Sequence, residues 1–291
     1  MTSLTKSFVA LITAIMLSLG IISIGNVEIT DVPEQPDGTV RIVSFNLRTA
    51  NDIYGSIKNR SVFIAAALDA YAPDSFGVQE ANPAWLKQLD EKLGDKYARV
   101  GEPRDSSKNS EYSCVYYLKD RYELLDSGTI WLSKTPEVAA SKDFGSSYPR
   151  ICTWATLKNI ETGLTYTHVN THLDHLLEST RQKQAQVLMN KVEQLAESYP
   201  VVCTGDFNMN EGKAAYKLIT EKMNDSRLVA NQTEQGKTYH NYGRGDILHT
   251  SAIDFIFVQK DMQVERYKII DNMVNNMYLS DHYGLCADIY I

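Results

Sequence analysis

Apolar and polar positions along this chain repeat with two different periods, and the switches between them mark out its elements. Val40, Ile42, Val43 and Phe45 crowd a β-forming run that predicts a strand over Thr39–Leu47, with Asn46 the first polar residue at its end. Ile57, Phe63, Ile64, Ala67, Leu68 and Tyr71 fall on one helical side, so a helix is expected over Ile57–Tyr71, stopped by Ala72-Pro73-Asp74. Ser75–Gln79 reads as a short apolar strand ending in Glu80, and Asn82-Pro83 opens a helix that carries Trp85, Leu86 and Leu89. Tyr112–Leu118 and Tyr122–Leu132 read as paired strands around Lys119-Asp120-Arg121. Ile151–Ile160 and Leu164–Asn170 read as a hairpin around Glu161-Thr162-Gly163. Ala185, Leu188, Val192 and Leu195 mark a long helix over Leu176–Tyr199, ended by Pro200. Val201–Thr204, Ile253–Val258, Val264–Ile270 and Leu285–Ile291 complete the strands, and a Met-, Val- and Tyr-containing stretch before Leu279 reads as one more buried strand.

Strand–helix–strand units at 40–79 and 164–204 thus alternate with antiparallel hairpins. That mixture predicts an α/β protein of the α+β type: two mixed β-sheets packed face to face and flanked by helices, a four-layer sandwich rather than a barrel or a doubly wound sheet. At 291 residues, 43% of them hydrophobic, with no repeat or linker after residue 40, the chain is expected to fold as one domain over 39–291.

The N-terminus departs from this pattern. Lys6 precedes an uncharged apolar run from Phe8 to Ile24, and Ser23 and Gly25 offer a small-residue cleavage site. Residues 1–25 are therefore expected to be a signal peptide or membrane anchor, with 26–38 a flexible tether and the protein secreted or held at the outer face of the cytoplasmic membrane. Cys114, Cys152, Cys203 and Cys286 sit in apolar or aromatic runs without zinc-site spacing and read as buried thiols. The net charge of −7 argues against a general nucleic-acid coat protein, but it leaves room for an enzyme whose metal site is a cluster of acids.

The chemistry gathers at strand ends. Asn46, Glu80, His172, Asp206 with Asn208, and Asp281 with His282 all stand where an apolar run meets polar sequence. Asp254 lies inside the apolar run Ala252–Val258, where a carboxylate is costly to bury without a partner, and His282 is the natural one. Oxygen ligands beside a proton-transferring group are what hard-metal phosphoester hydrolysis needs. Asp174, His175, Arg181 and Gln184 are candidates for a pocket rim. The polar segment Asn231–Thr250, with Tyr239, His240, Tyr242, Arg244 and His249, reads as a mobile loop able to stack on a base, sugar or headgroup.

Six short motifs in order, Ser44-Phe45-Asn46, Val78-Gln79-Glu80, Asn170-Thr171-His172-Leu173, Gly205-Asp206-Phe207-Asn208, Ile253-Asp254-Phe255-Ile256 and Ser280-Asp281-His282, resemble the endonuclease/exonuclease/phosphatase superfamily over nearly all of Val40–Ile291. The resemblance implies Mg²⁺ (Mn²⁺ as a substitute) held by Glu80 with Asn46 and Asp281. It implies Asp206 as the residue that orients or deprotonates the attacking water, and Asn208 on a phosphate oxygen. It further implies His282, paired to Asp254, as base or charge stabiliser, and His172 facing the same phosphate from the other sheet. Glu111 and Arg150 resemble the deoxyribonuclease-like branch, Glu111 as an acid on the leaving-group side and Arg150 as a phosphate contact. The expectation is an exported metal-dependent phosphodiesterase of the nuclease kind. A sphingomyelinase-like phospholipid-headgroup phosphodiesterase is the alternative, and an inert phosphate-binding module the remote one. A 5-phosphatase is disfavoured, because Ala252-Ile253-Asp254-Phe255 replaces the Trp-Cys-Asp-Arg element of those enzymes. The expected partners are a nucleic-acid or phospholipid phosphoester and, through an uncleaved N-terminus, a membrane. No protein partner is expected.

Overall fold

The computed structural model describes residues 27–50, 56–244, 251–271, 273–274 and 277–291. The segment 1–25, read as signal or anchor, lies outside the described residues, as does His249. Among the described residues no helix is long and apolar enough to cross a membrane.

The chain runs through β1 (Val40–Asn46), α1 (Ile57–Tyr71), β2 (Ser75–Gln79), α2 (Pro83–Leu93), β3 (Tyr97–Val100), β4 (Val115–Leu118), β5 (Tyr122–Trp131), β6 (Ile151–Asn159) and β7 (Thr165–His172). It continues through α3 (Glu178–Ala196), β8 (Val201–Asp206), α4 (Ala214–Lys222), β9 (Met223–Asp225), α5 (Ser226–Val229) and β10 (Gln232–Thr233). It ends with β11 (Asp254–Gln259), β12 (Gln263–Ile270), β13 (Met273–Val274), β14 (Met277–Tyr278) and β15 (Gly284–Tyr290). Local chemistry sets the helix ends. The Ser56 side chain accepts from the Asn59 N–H to start α1, and Ala72 turns left-handed before Pro73 to stop it. Asn82 caps the Ala84 and Trp85 N–H groups of α2, with Pro83 in the first turn.

A seven-stranded sheet has the order β10-β12-β15-β1-β2-β4-β3, and a six-stranded sheet the order β5-β6-β7-β8-β11-β9. Both are mixed: β1 runs parallel to β2 and antiparallel to β15, while β7 runs parallel to β8 and β8 antiparallel to β11. Helices α1 and α2 bury Phe63, Leu68, Trp85 and Leu89 against the outer face of the first sheet. Helices α3 and α4 bury Leu188, Val192 and Ile219 against the second. The four-layer α/β sandwich expected from the pattern is therefore present. All four cysteines are buried and unpaired.

Three expectations need correction. β4 and β5 do not pair with each other. β4 lies between β2 and β3, so both its edges are filled, and the turn at 119–121 carries the chain across to the other sheet, where β5 pairs with β6. The stretch before Leu279 forms only the short β13–β14 pair, with Met277 and Tyr278 half-buried, so Asp281 and His282 are placed by the loop entering β15 and not by the end of a buried strand. Residues 27–38, read as a tether, lie along the domain. Val27, Ile29 and Val32 pack against its core, and the Gln35 amide donates to the Asp74 carboxylate at 2.9 Å.

The space between the sheets changes character along its length. At one end it is apolar, with Ile42, Val115, Leu157, Val202, Ile256 and Ala287. Further along the same strands it becomes a fully buried polar seam. Ser75 Oγ meets His168 Nδ1 at 2.8 Å, and His168 Nε2 meets Thr204 Oγ1 at 2.8 Å. Asn170 ties the sheets together: its Nδ2 donates to the carbonyls of Val78 and Cys114, both at 2.9 Å, while its Oδ1 accepts from Gln79 at 2.7 Å and Thr204 at 3.1 Å. Gly77 lies opposite, and a Cβ there would come within 2.4 Å of Thr204 Oγ1. Burial lowers His168 to about 3, so its imidazole is neutral and works as a hydrogen-bonding joint. Removing the Asn170 carboxamide takes a donor from two backbone carbonyls and an acceptor from the Gln79 amide and the Thr204 hydroxyl, all in the interior. Asn170→Ala is accordingly expected to destabilise the fold by about 3 kcal/mol or more, read as a lowered urea midpoint at unchanged slope.

Candidate functional site

Along each central strand the residues that face the opposite sheet alternate with those that face the helices. In β1 the series Val40, Ile42, Ser44, Asn46 runs from apolar to polar towards one end of the sandwich, as does Tyr166, His168, Asn170, His172 in β7. In β8 it is Val202, Thr204, Asp206, and the antiparallel β11 contributes Asp254 at the same end, where it pairs in register with Asp206. The candidate side chains are the continuation of the buried seam to the point where it opens into a cleft of about 420 Å³.

The cleft is lined by Glu80, Glu111, Arg150, His172, Asp206, Asn208, Asp281 and His282. Asn46 and Asp254 lie immediately behind them, both buried. The ten residues given catalytic, phosphate-contact or metal roles in the sequence analysis are thus in this one assembly. Asp206 is its hub. Its Oδ1 accepts from the Asn208 N–H at 2.9 Å and its Oδ2 from Asn46 Nδ2 at 2.9 Å, with His172 Nε2 at 3.5 Å and His282 Nε2 at 3.8 Å. Asn208 holds its left-handed backbone (φ 50°) by donating its amide to the Leu173 carbonyl at 3.1 Å. Burial, then the facing Asp254, pushes the Asp206 carboxyl up.

His282 Nδ1 contacts both Asp254 oxygens, at 2.9 and 3.1 Å. Burial would lower this imidazole, but Asp254, then Asp206 and Asp281, outweigh it and raise it to about 10, so Nδ1 donates and the ring is cationic at neutral pH. His172 is the opposite case: burial, with Arg150 and Arg104 nearby, drives it well below its usual value and keeps it neutral. Two imidazoles on one carboxylate oxygen therefore differ in charge.

Glu80 follows β2 in a left-handed conformation (φ 57°), a strained geometry for a non-glycine residue that turns its carboxylate back towards β1. Its Oε1 accepts from Asn46 Nδ2 at 3.3 Å and its Oε2 from the Thr49 N–H at 2.8 Å. Burial raises the Asp281 carboxyl, with Glu80 adding to the effect and His282 and Arg48 opposing it; the Arg48 Nε is 3.6 Å away. Carboxylates crowded this way beside a carboxamide fit a hard divalent cation with oxygen ligands. Asp206, Asp254 and His282 also bring ligand-type atoms within 4.8 Å of one another. There, however, the His282–Asp254 hydrogen bond accounts for the arrangement, and the Glu80, Asn46 and Asp281 set is the richer in oxygen.

The opposite wall is basic and aromatic. Arg150 is 5% exposed, its Nη2 lies 3.2 Å from His175 Nδ1, and its buried Nε has no hydrogen-bond partner. Burial and the neighbouring Arg104 both lower it. Arg104 pairs with Glu111 and lies 4.5 Å from the Tyr148 ring centroid. Burial and Glu80 raise the Glu111 carboxyl against the pull of Arg104. Of the rim candidates His175 lines the cleft, whereas Asp174 is wholly buried and receives the Leu176 and Leu177 N–H groups. Arg181 and Gln184 likewise serve the start of α3, bonding the Asp174 carbonyl and N–H.

The described part of the 231–250 segment is structured where it meets the site. Thr238 Oγ1 accepts from the Ile253 and Asp254 N–H groups, and the Tyr239 ring lies 4.9 Å from His282. His240 packs between Tyr278 and Tyr283, and Tyr242 is buried. Arg48, Thr49, Arg104 and Tyr148 escaped sequence reasoning, since they sit in aperiodic turn-rich stretches; Pro103-Arg104 and Tyr148-Pro149 were the only local hints.

No curated protein matches this chain. Among solved structures, an endonuclease/exonuclease/phosphatase from Bacteroides vulgatus is 32% identical, covering 86% of this chain and 98% of its own, with a TM-score of 0.79. A mannosyl-6-phosphatase from Bacteroides thetaiotaomicron is 28% identical over 87% of this chain and 100% of its own, at a TM-score of 0.80. The D. rerio TDP2 complexed with single-strand DNA product shares the fold at 18% identity, covering 87% of this chain and 99% of its own, with a TM-score of 0.70. A model of the endonuclease/exonuclease/phosphatase family matches residues 43–282, spanning every motif that builds the cleft. By that match and by the sandwich that carries it, the chain belongs to the endonuclease/exonuclease/phosphatase family.

Proposed function

We propose that this protein is a divalent-metal-dependent phosphoester hydrolase whose substrate is a compact phosphoester on a hydroxyl-rich group, a sugar phosphate in particular. One observation carries the reading. The Arg150 guanidinium is buried in the cleft wall with no carboxylate at ion-pair distance among the described residues, opposite the Asp206–His282 pair. A buried cation with an unused donor is costly unless an anion completes it, and a phosphate presents oxygens in the matching fork geometry.

Mg²⁺ or Mn²⁺ bound by Glu80, Asp281 and Asn46 would supply Lewis acidity at the phosphoryl oxygens. The chain's own groups do the rest. Asp206 Oδ2 orients the attacking water and takes its proton; burial has made it a better acceptor than an ordinary carboxylate. His282, held cationic by Asp254, donates from Nε2 to the charge that develops on phosphorus oxygens, which assigns it stabilisation and not base catalysis. Neutral His172 and the second amide hydrogen of Asn208 add hydrogen bonds without charge. Arg150 grips a phosphoryl oxygen, and Arg104, Glu111, Tyr148 and His175 face the leaving group.

The compact cleft supports a small substrate, as does the 28% identity to a mannosyl-6-phosphatase over the whole of that chain. A polynucleotide is the second reading, favoured by the presence of Glu111 and Arg150 together in the cleft and opposed by a net charge of −7. Export stays part of the proposal on the apolar run Phe8–Ile24, and with it a lipid headgroup as a further substrate to be tried.

Mannose 6-phosphate, p-nitrophenyl phosphate, bis(p-nitrophenyl) phosphate, DNA and sphingomyelin, each with Mg²⁺ or EDTA, separate these readings. Release of inorganic phosphate from the monoesters, lost with EDTA, is expected; cleavage of DNA or lipid alone would overturn the sugar-phosphate assignment. Asp206→Ala and His282→Ala are each expected to lower kcat by about 10³-fold. Arg150→Lys is expected to lower kcat/KM by about 10–100-fold, because an ammonium cannot reproduce the two-pronged grip.

A further inference from the structure

The stretch 47–50 after β1 touches the proposed metal site through two backbone groups, the Arg48 N–H donating to Asn46 Oδ1 at 3.0 Å beside that of Thr49, and its shape is dictated from below. Thr49 donates its N–H to Glu80 Oε2 at 2.8 Å. Arg48, just before it, is left-handed (φ 59°) and lies over Asp281. Under the loop, Arg60 of α1 is 2% exposed and spends its guanidinium on backbone carbonyls: Nη1 on Leu47 at 2.6 Å, Nη2 on Arg48 and Ala50 at 2.8 Å each. The Trp85 ring lies 4.9 Å from this guanidinium, and its Nε1 donates to the same Arg48 carbonyl at 2.9 Å. Asn82 closes the ring of contacts by donating to the Thr49 carbonyl and hydroxyl, both at 3.1 Å.

We infer that Arg60 is a positioning residue for the metal site: with Trp85 and Asn82 it fixes the loop 47–50 so that the Thr49 N–H locks the Glu80 carboxylate and Arg48 is held over Asp281. This rests on the reading of Glu80 as a metal ligand. The physical case is specific. A buried cation in the first turn of a helix, bonded to the carbonyls of Leu47, Arg48 and Ala50 and capped by an indole face, holds the backbone of the loop in one shape. Carbonyls that point down at Arg60 leave the Thr49 N–H to point up at Glu80. A glutamate with one oxygen already fixed offers the other to a cation in a set direction, and outer groups of this kind set affinity as strongly as many ligands do.

The test measures Mn²⁺ binding by electron paramagnetic resonance on the full chain, alongside metal-free thermal unfolding and kcat at saturating metal. Arg60→Lys keeps the charge but cannot reach three carbonyls; Trp85→Phe keeps the bulk and removes only the indole donor, and stands in should Arg60→Lys not fold. Arg60→Lys is expected to weaken Mn²⁺ binding by about 10-fold or more and Trp85→Phe by about 3-fold, with kcat at saturating metal within about 3-fold of the parent. A lowered unfolding temperature with Mn²⁺ affinity unchanged in the folded variants would overturn the proposal and leave Arg60 a purely structural residue. Glu80→Gln is the control on the underlying reading. If it leaves Mn²⁺ affinity unchanged, the metal site itself is misplaced and the positioning role falls with it.

Discussion

Everything in this molecule depends on how the two sheets are joined. Sheets that pack face to face normally fill the gap between them with interdigitating apolar side chains. Here the apolar filling runs out partway along, and Asn170, Thr204, His168, Gln79 and Ser75 take over with buried hydrogen bonds, of which Ser75–His168 and Gln79–Asn170 cross from sheet to sheet. A satisfied polar contact is directional where an apolar one is not, so the seam fixes the sheets against sliding. It also sets the distance at which the next residues on the same faces, Asn46 and Asp206, meet at 2.9 Å. The site inherits its precision from the seam beneath it.

Charge is then divided across the cleft. One wall concentrates Glu80, Asp206, Asp254 and Asp281, with the His282 imidazolium and Arg48 among them; the other carries Arg104 and Arg150 with Glu111. Such a division favours a ligand that is anionic towards one side and meets a cation on the other, which is the electrostatic demand of a phosphate shared between a metal and guanidinium groups. Preorganisation is visible in the backbone as well: Arg48, Glu80 and Asn208 are all left-handed, and all three line the cleft.

Much of this was legible in the chain. Helix α1 and strand β2 have the bounds that their periodicity implies, because local pattern and burial agree there. Asn46, Glu80 and Asp206 stood out as polar residues bordering apolar runs and Asp254 as an acid inside one, and the structure brings them together. What stayed hidden was relational. Nothing in Tyr112–Leu132 tells that β4 has both edges filled by β2 and β3, the latter a four-residue strand too short to announce itself. Arg104 and Tyr148 reach the cleft from loops without period, and the packing of Thr238–Tyr242 around His282 is tertiary in origin. Asn170 and His168 looked like strand residues, and only the facing sheet reveals them as the joint.

Strand β15 is laid between β1 and β12, pairing Val43 with Cys286 on one edge and Tyr267 with Ala287 on the other. The first strand of the domain thus finds one of its neighbours only in the last, and that last strand is preceded directly by Asp281 and His282. During synthesis on a ribosome, β1 must wait with an open edge while more than two hundred residues follow, a long-range closure of the kind that slows folding. Asn46, Glu80, Asp206 and Asp254 are all synthesised before Asp281 and His282, which complete the cleft. The cleft is therefore completed by the same segment that supplies the strand sealing the sheet, so closure of the sheet and closure of the site are one event.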